Sequence, residues 1–327
     1  MLDKLNCKVF STICQEDDEQ EWLKTRTKGI GGSDIGAICG VSNYSSPRLV
    51  YLQKTGQYED PISQNDEAKE RMRWGHLLEP IVADEYAHQT GRRVISSPAT
   101  LVHKDYPWAL ANVDRFILDE EGNPYGILEC KTAGEFMNSD WEEGDIPTQY
   151  IYQLNWYLFV CDLKFGAFAC LVGGNKFHYF EIYRNDELIE DMFNKAYKFW
   201  NFNVKKLIEP ELTGIDADKE YVDTENQEVQ KNSETVLEDE TADELAETVK
   251  KCKEEIKRLE KIEKEAANKL KDKLKNTEIG YTKNYIIKWS PRTQKRVDSD
   301  KLKTKFPEVY QQCQKEVSFR AFSVKGV

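Results

Sequence analysis

Spacings that would mark a cysteine-bound metal or redox centre are missing from this chain of 327 residues. Its eight cysteines, at 7, 14, 39, 130, 161, 170, 252 and 313, include no C-x-x-C pair. They read as reduced thiols, which excludes a disulfide scaffold, a zinc ribbon and an iron–sulfur cluster. Histidine is scarce: the four, at 76, 88, 103 and 178, show neither H-E-x-x-H nor H-x-x-x-H spacing. No G-K-[ST] closes the glycine-rich stretch near residue 30, and its glycines (29, 31, 32 and 36) do not space as G-x-G-x-x-G. A nucleotide cofactor is therefore not expected. No run approaches the roughly 18 apolar residues of a membrane span. The first ten residues, MLDKLNCKVF, lack the basic and apolar regions of a secretion signal. The expectation is a cytoplasmic protein without a membrane partner.

Positive charge is also short overall, with a net charge of -12, but the deficit is local. Residues 209–247 hold 15 Asp or Glu against two Lys, whereas residues 276–327 hold 11 Lys or Arg against five acids. A surface that meets phosphate thus remains open. The organisation expected is a core over 1–208, an acidic linker over 209–241, a long helix over 242–275, and a small segment over 276–327 that packs back on the core. In the long helix, Leu245, Val249, Cys252, Ile256, Leu259, Ile262, Ala266, Leu270 and Leu274 follow three- and four-residue steps. Such a helix can pair with another in cis or in trans. The small segment should hold strand pairing over 280–289, short helices near 299–305 and 308–315, and a terminal strand over 319–324.

The core alternates helix-like stretches (72–89, 148–160 and 185–207) with strand-like ones (109–118, 125–130, 165–172 and 176–183), which makes it α/β or α+β. Glu129 and Lys131 stand two apart at the end of the strand GILECK and share a face, with Cys130 on the other. Asp114 lies within the earlier strand-like run 109–118. Two carboxylates with a lysine beside them suit a hard divalent ion and a developing negative charge. A solvated sheet face could carry the same acid-x-base pattern, but the apolar flanks Ile127 and Leu128 argue for another cause. Glu79, at the edge of an apolar helix face, is a further carboxylate; alone it reads as a surface residue. Arg26 precedes the glycine-rich turn, and Ser33 is placed to cap the helix after it, so the pair could hold a phosphate. Gln149, Gln153 and Tyr157 recur at four-residue steps and form one polar stripe.

In this order, Arg26 and Ser33, Glu79, Asp114, Glu129-Cys130-Lys131, then Gln153 and Tyr157 resemble the YqaJ-like viral recombinase family. Those are phage-type exonucleases similar to the phage lambda exonuclease, within the PD-(D/E)XK nuclease superfamily. The resemblance runs from about Trp22 to Tyr183 and, more loosely, through KWSPRTQKRVDSDKLKTKFPEVY and SFRAFSVK. It implies a restriction-endonuclease-like core, a central mixed sheet flanked by helices. It also implies a Mg2+-dependent deoxyribonuclease, with Mn2+ substituting. That enzyme degrades one strand of linear double-stranded DNA from a 5′ end and passes the 3′ overhang to a single-strand annealing recombinase. Asp114, Glu129, the Cys130 carbonyl and Glu79 would hold or support metal. Lys131 would aid the attacking water, Gln153 would lie beside the metal, and Arg26 with Ser33 would form a 5′-phosphate pocket. Tyr157 matches helicase-associated nuclease domains more than lambda-type enzymes, where it would contact DNA. Ring-shaped trimers among lambda-type relatives imply a homo-oligomer in a bacterial or phage-infected cell. The pattern departs from the superfamily in one place: Ala111-Asn112-Val113, not proline, precedes Asp114. The alternatives are an endonuclease of the same superfamily and a catalytically inactive DNA-end binding or scaffold protein.

Overall fold

The computed structural model describes residues 5–13, 18–58, 66–97, 100–226, 228, 233–315 and 319–326. Cys14 lies outside them; the other seven cysteines are free thiols. The chain forms two compact units, Met1–Val222 and Asp223–Val327. Among the described residues no helix is long and apolar enough to cross a membrane.

The first unit takes the expected mixed α/β form, a central sheet flanked by helices. Five strands lie in the order β2 (Arg93–Ser96), β5 (Arg115–Leu118), β6 (Pro124–Ala133), β7 (Phe165–Val172) and β8 (Lys176–Tyr183). Only β6 and β7 run parallel in this sheet. Alternation along β6 and β7 sends two apolar sets to opposite faces. Leu128, Ala167 and Ala169 meet Val82, Ala83 and Tyr86 of helix α4 (Asp66–Thr90). Ile127, Phe168 and Cys170 join the larger cluster with Leu154, Trp156 and Leu158 of helix α6 (Thr148–Cys161). Glu129 and Lys131 continue the Ile127 side and therefore face α6.

The run expected as one strand over 109–118 is divided. Leu110–Ala111 forms β4 in a small sheet with β1 (Cys7–Ser11) and β3 (Thr100–His103), and β5 begins at Arg115. The crossing residues 112–114 change sheets, with the Asn112 amide donating to Thr100 Oγ1 at 2.8 Å. Asp114 thus stands at a strand end, clear of the ladder.

The acidic stretch 209–241 is not all linker: Asp216–Glu225 is helix α8. Asp218 is buried and accepts from Ser46 Oγ, Thr213 N and Thr213 Oγ1, which fastens this end of the first unit. An isolated reading of charge could not show that one acid in this run has buried partners. In the second unit, helix α9 runs Glu240–Leu274 and a hairpin pairs β9 (Ile279–Tyr281) with β10 (Ile286–Lys288). Helices α10 (Ser299–Lys305) and α11 (Pro307–Gln312) follow. Residues 319–324 form no strand; among the described residues no ladder pairs with them.

Candidate active site

Strand β6 and helix α6 bring the central group together. Glu129 is 2% exposed. Its Oε1 accepts from Lys131 Nζ at 2.7 Å and from Gln153 Nε2 at 2.6 Å. Gln153 Nε2 also lies 3.2 Å from the Tyr157 hydroxyl, and Lys131 Nζ lies 4.7 Å from the centroid of the Tyr150 ring. The second oxygen, Glu129 Oε2, is buried and has no hydrogen-bond partner among the described residues. Asp114 is joined to the same strand, since its Oδ2 accepts from the Cys130 N–H at 2.8 Å.

Burial pushes the Asp114 carboxyl well above its ordinary value, and the neighbouring Glu129 charge pushes it further. Burial raises Glu129 too, against the pull of Lys131. Burial alone would lower Lys131, but the Glu129 and Asp114 charges outweigh it and the ammonium is raised. Two carboxylates thus share one half-buried cation.

Glu79, on α4, ion-pairs with Arg115 Nη1, and the same nitrogen donates to the Asp114 carbonyl at 2.7 Å. Glu79 lies near enough to raise Asp114 and Glu129 as well. As the side chains stand, no three Asp, Glu, His or Cys among the described residues converge tightly enough to hold an ion. Lys131 and Arg115 occupy carboxylate oxygens instead.

The second group lies at the glycine-rich turn. Arg26, near the end of helix α1 (Glu19–Thr27), stacks 4.6 Å over the Trp22 ring and donates to Ser33 Oγ. Ser33 is not the cap of helix α2 (Gly32–Ile38): Gly31 is, and the Gly31 N–H donates to Asp34 Oδ2 at 2.8 Å. Gly31 supplies the extended backbone a cap needs, and Asp34 takes the reciprocal role, so Ser33 falls inside the first turn with an exposed hydroxyl. Gly32 joins the two groups: a β-carbon there would meet the Tyr157 ring and the Gln153 Cγ.

Residues 21–164 match the YqaJ-like viral recombinase domain. Over 314 residues the chain is 38% identical to the protein YqaJ of Bacillus subtilis (strain 168), covering 95% of this chain and 96% of that one. The chain belongs to the YqaJ-like viral recombinase family. Among solved structures it is similar to an alkaline exonuclease from Laribacter hongkongensis, at 19% identity and a TM-score of 0.47, covering 58% of this chain and 94% of that one. A phage-related exonuclease from Haemophilus somnus 129PT is similar at 11% identity and a TM-score of 0.38, covering 55% and 95%.

In this member of the YqaJ-like family the structure therefore gathers Asp114, Glu129, Lys131, Gln153 and Tyr157 in one cluster, with Glu79 reaching it through Arg115. Three residues escaped the sequence reading. Arg115 sits beside Asp114, and nothing in the local sequence points to its contact with Glu79. Asp34 and Lys54 form an ion pair at 2.6 Å with both side chains less than 10% exposed. Nothing in their spacing links them, because they lie on different helices.

Proposed function

We propose that this YqaJ-family protein is a Mg2+-dependent 5′-to-3′ exodeoxyribonuclease of linear double-stranded DNA. It leaves 3′ single-stranded overhangs for a strand-annealing recombinase. The observation that carries the proposal is the orphaned Glu129 Oε2, buried beside Asp114 and the Lys131 ammonium. A buried carboxylate oxygen without a donor is costly, and a hard cation is the partner that would offset it. The donor set fits: Asp114 and Glu129 supply oxygens, Glu79 can join them by leaving Arg115, and the Cys130 carbonyl lies on the same strand. A divalent ion held there supplies a Lewis acid that acidifies the attacking water and steadies charge on the phosphate.

The chain's own groups do the rest. Lys131 Nζ, held by Glu129, faces the reacting phosphate and counters the negative charge that grows on its oxygens. Gln153 fixes the Glu129 carboxylate and can orient the water. Tyr157 walls the site from solvent and touches the strand being cut. Arg26 and Ser33 grip a 5′-terminal phosphate, the Arg26 fork taking two oxygens at once. The terminal group carries more charge than an internal diester, so an end is preferred. The direction of digestion, the annealing partner and self-association follow from the family likeness.

The test measures rates in Mg2+ on four substrates: 5′-phosphorylated duplex, 5′-hydroxyl duplex, single strand and covalently closed circle. The phosphorylated duplex is expected to be degraded fastest and the closed circle left whole. Rapid cutting of the circle would replace the reading with an endonuclease; no cutting of any substrate would leave a DNA-end binding protein.

A further inference from the structure

Beneath the turn that carries Arg26 and Ser33 lies a buried ion pair distinct from that of Glu129 and Lys131. Lys54 ends helix α3 (Pro47–Lys54), and its Nζ lies 2.6 Å from Asp34 Oδ2. The Lys54 side chain is 4% exposed and that of Asp34 9%. The same ammonium donates to the Arg26 carbonyl at 2.8 Å. Asp34 Oδ2 in turn accepts from the Gly31 N–H. One lysine head therefore ties the backbone of Arg26 to the turn that begins α2, and Ser33 is the neighbour of Asp34. Burial lowers the Lys54 ammonium while Asp34 opposes that pull and Arg26 adds to it.

A buried charge pair is a poor way to add stability, since apolar side chains of similar volume serve as well or better. What the pair adds is direction. Its bonds fix the Arg26 carbonyl near the end of α1 and the Gly31 N–H at the start of α2, and the side chains that these two ends carry meet each other, Arg26 Nη2 on Ser33 Oγ.

We propose that Lys54 and Asp34 are positioning residues that set Arg26 and Ser33 for a terminal phosphomonoester, and so set the preference for phosphorylated ends. The proposal rests on the end-binding role given to Arg26 and Ser33 above. Single neutral replacements leave one buried charge without its partner and report on folding. The pair variant D34N/K54M removes both charges together. Its new amide at position 34 still accepts from the Gly31 N–H, while the thioether at position 54 fills the space and offers the Arg26 carbonyl nothing.

Two readouts separate the possibilities. The first is affinity for two hairpin duplexes differing only in a 5′-phosphate or 5′-hydroxyl, in Ca2+ to suppress cutting. The second is the 15N-detected Nε–H signal of Arg26, assigned by its absence from R26A. In the wild type the phosphate is expected to be preferred by about ten- to a hundredfold. D34N/K54M should lose most of that preference, bind the hydroxyl hairpin within about twofold of wild type, and show a displaced Arg26 signal. An unmoved Arg26 signal, or equal weakening toward both hairpins, overturns the proposal. A wild type without phosphate preference overturns the end-binding reading, and the Arg26 signal then decides the positioning alone. If D34N/K54M does not fold, K54R decides. It keeps the charge, but its planar head cannot seat Asp34 and the Arg26 carbonyl at the lysine's distances. A reduced preference with a displaced signal supports positioning, and an unchanged preference counts against it.

Discussion

Gly32 lies directly against Tyr157: a β-carbon at position 32 would sit 2.4 Å from Tyr157 Cε1 and 2.9 Å from Gln153 Cγ. Gly32→Ala therefore forces Tyr157 and Gln153 to shift and disturbs the hold of Gln153 on Glu129. The expected cost is about 1–3 kcal/mol of stability, with a larger proportional fall in DNA cleavage. Urea unfolding and initial rates measured together test this. A variant with wild-type rate would show that the contact does not transmit to Glu129.

Lys131→Ala removes the ammonium that pairs with Glu129. Turnover should disappear while duplex binding persists, because the group acts on the charge that develops in the reaction. In metal-free buffer the variant should also lose about 3–5 kcal/mol, the usual penalty for stranding a buried charge. Mg2+ should restore part of that loss, as read by the melting temperature with and without the ion. A Lys131→Ala protein that cuts DNA at near wild-type rate would remove the catalytic assignment.

Asp114 and Glu129 are both raised by burial, and the Glu129 charge adds to the shift of Asp114. The folded, metal-free protein holds protons at these carboxyls up to higher pH than the unfolded chain does. Stability attributable to them therefore falls as pH rises from the ordinary carboxylate range through the raised values. Asp114→Asn should be more stable than wild type at pH 8, by an amount that shrinks toward pH 5. Metal binding must displace those protons, so Mg2+ affinity should climb over the same range. Calorimetric titration at several pH values checks it; a flat profile would deny the shared-carboxylate arrangement.

Helix α9 exposes Ile256, Leu259 and Ile262, each more than half accessible to solvent. These residues belong to the apolar steps along a helix otherwise laced with ion pairs such as Glu255–Arg258 and Glu265–Lys269. Removing residues 236–275 with a short bridge should spare cleavage of short duplexes and weaken self-association or partner binding. Light scattering and short-substrate rates report the two separately. Loss of all cleavage in a deletion that still folds would contradict this division.

Much of the sheet was legible in the residues. Phe165–Val172 and Lys176–Tyr183 were marked by β-branched and aromatic content around the Gly173-Gly174-Asn175 turn, and both strands have those bounds. Glu129 and Lys131 shared a face as strand alternation requires. Other features depend on contacts that spacing cannot reveal. The break at 112–114 comes from a change of sheet, and a continuous apolar run hides it. Helix α4 starts at Asp66, ahead of the 72–89 that its apolar spacing marks, and passes through Pro80. Ser33 had the right side chain for a cap, yet Gly31 and Asp34 took the role together. Lys54 carries no signal in the sequence, and only tertiary packing shows its head enclosed by Asp34 and the Arg26 carbonyl.

The most direct test of the metal-site account is anomalous diffraction from crystals soaked in millimolar Mn2+. A peak is expected between Asp114 and Glu129, with Glu129 Oε2 among its ligands and Glu79 turned away from Arg115. Crystals with no peak there, and with Lys131 and Arg115 still holding the carboxylates, would contradict it.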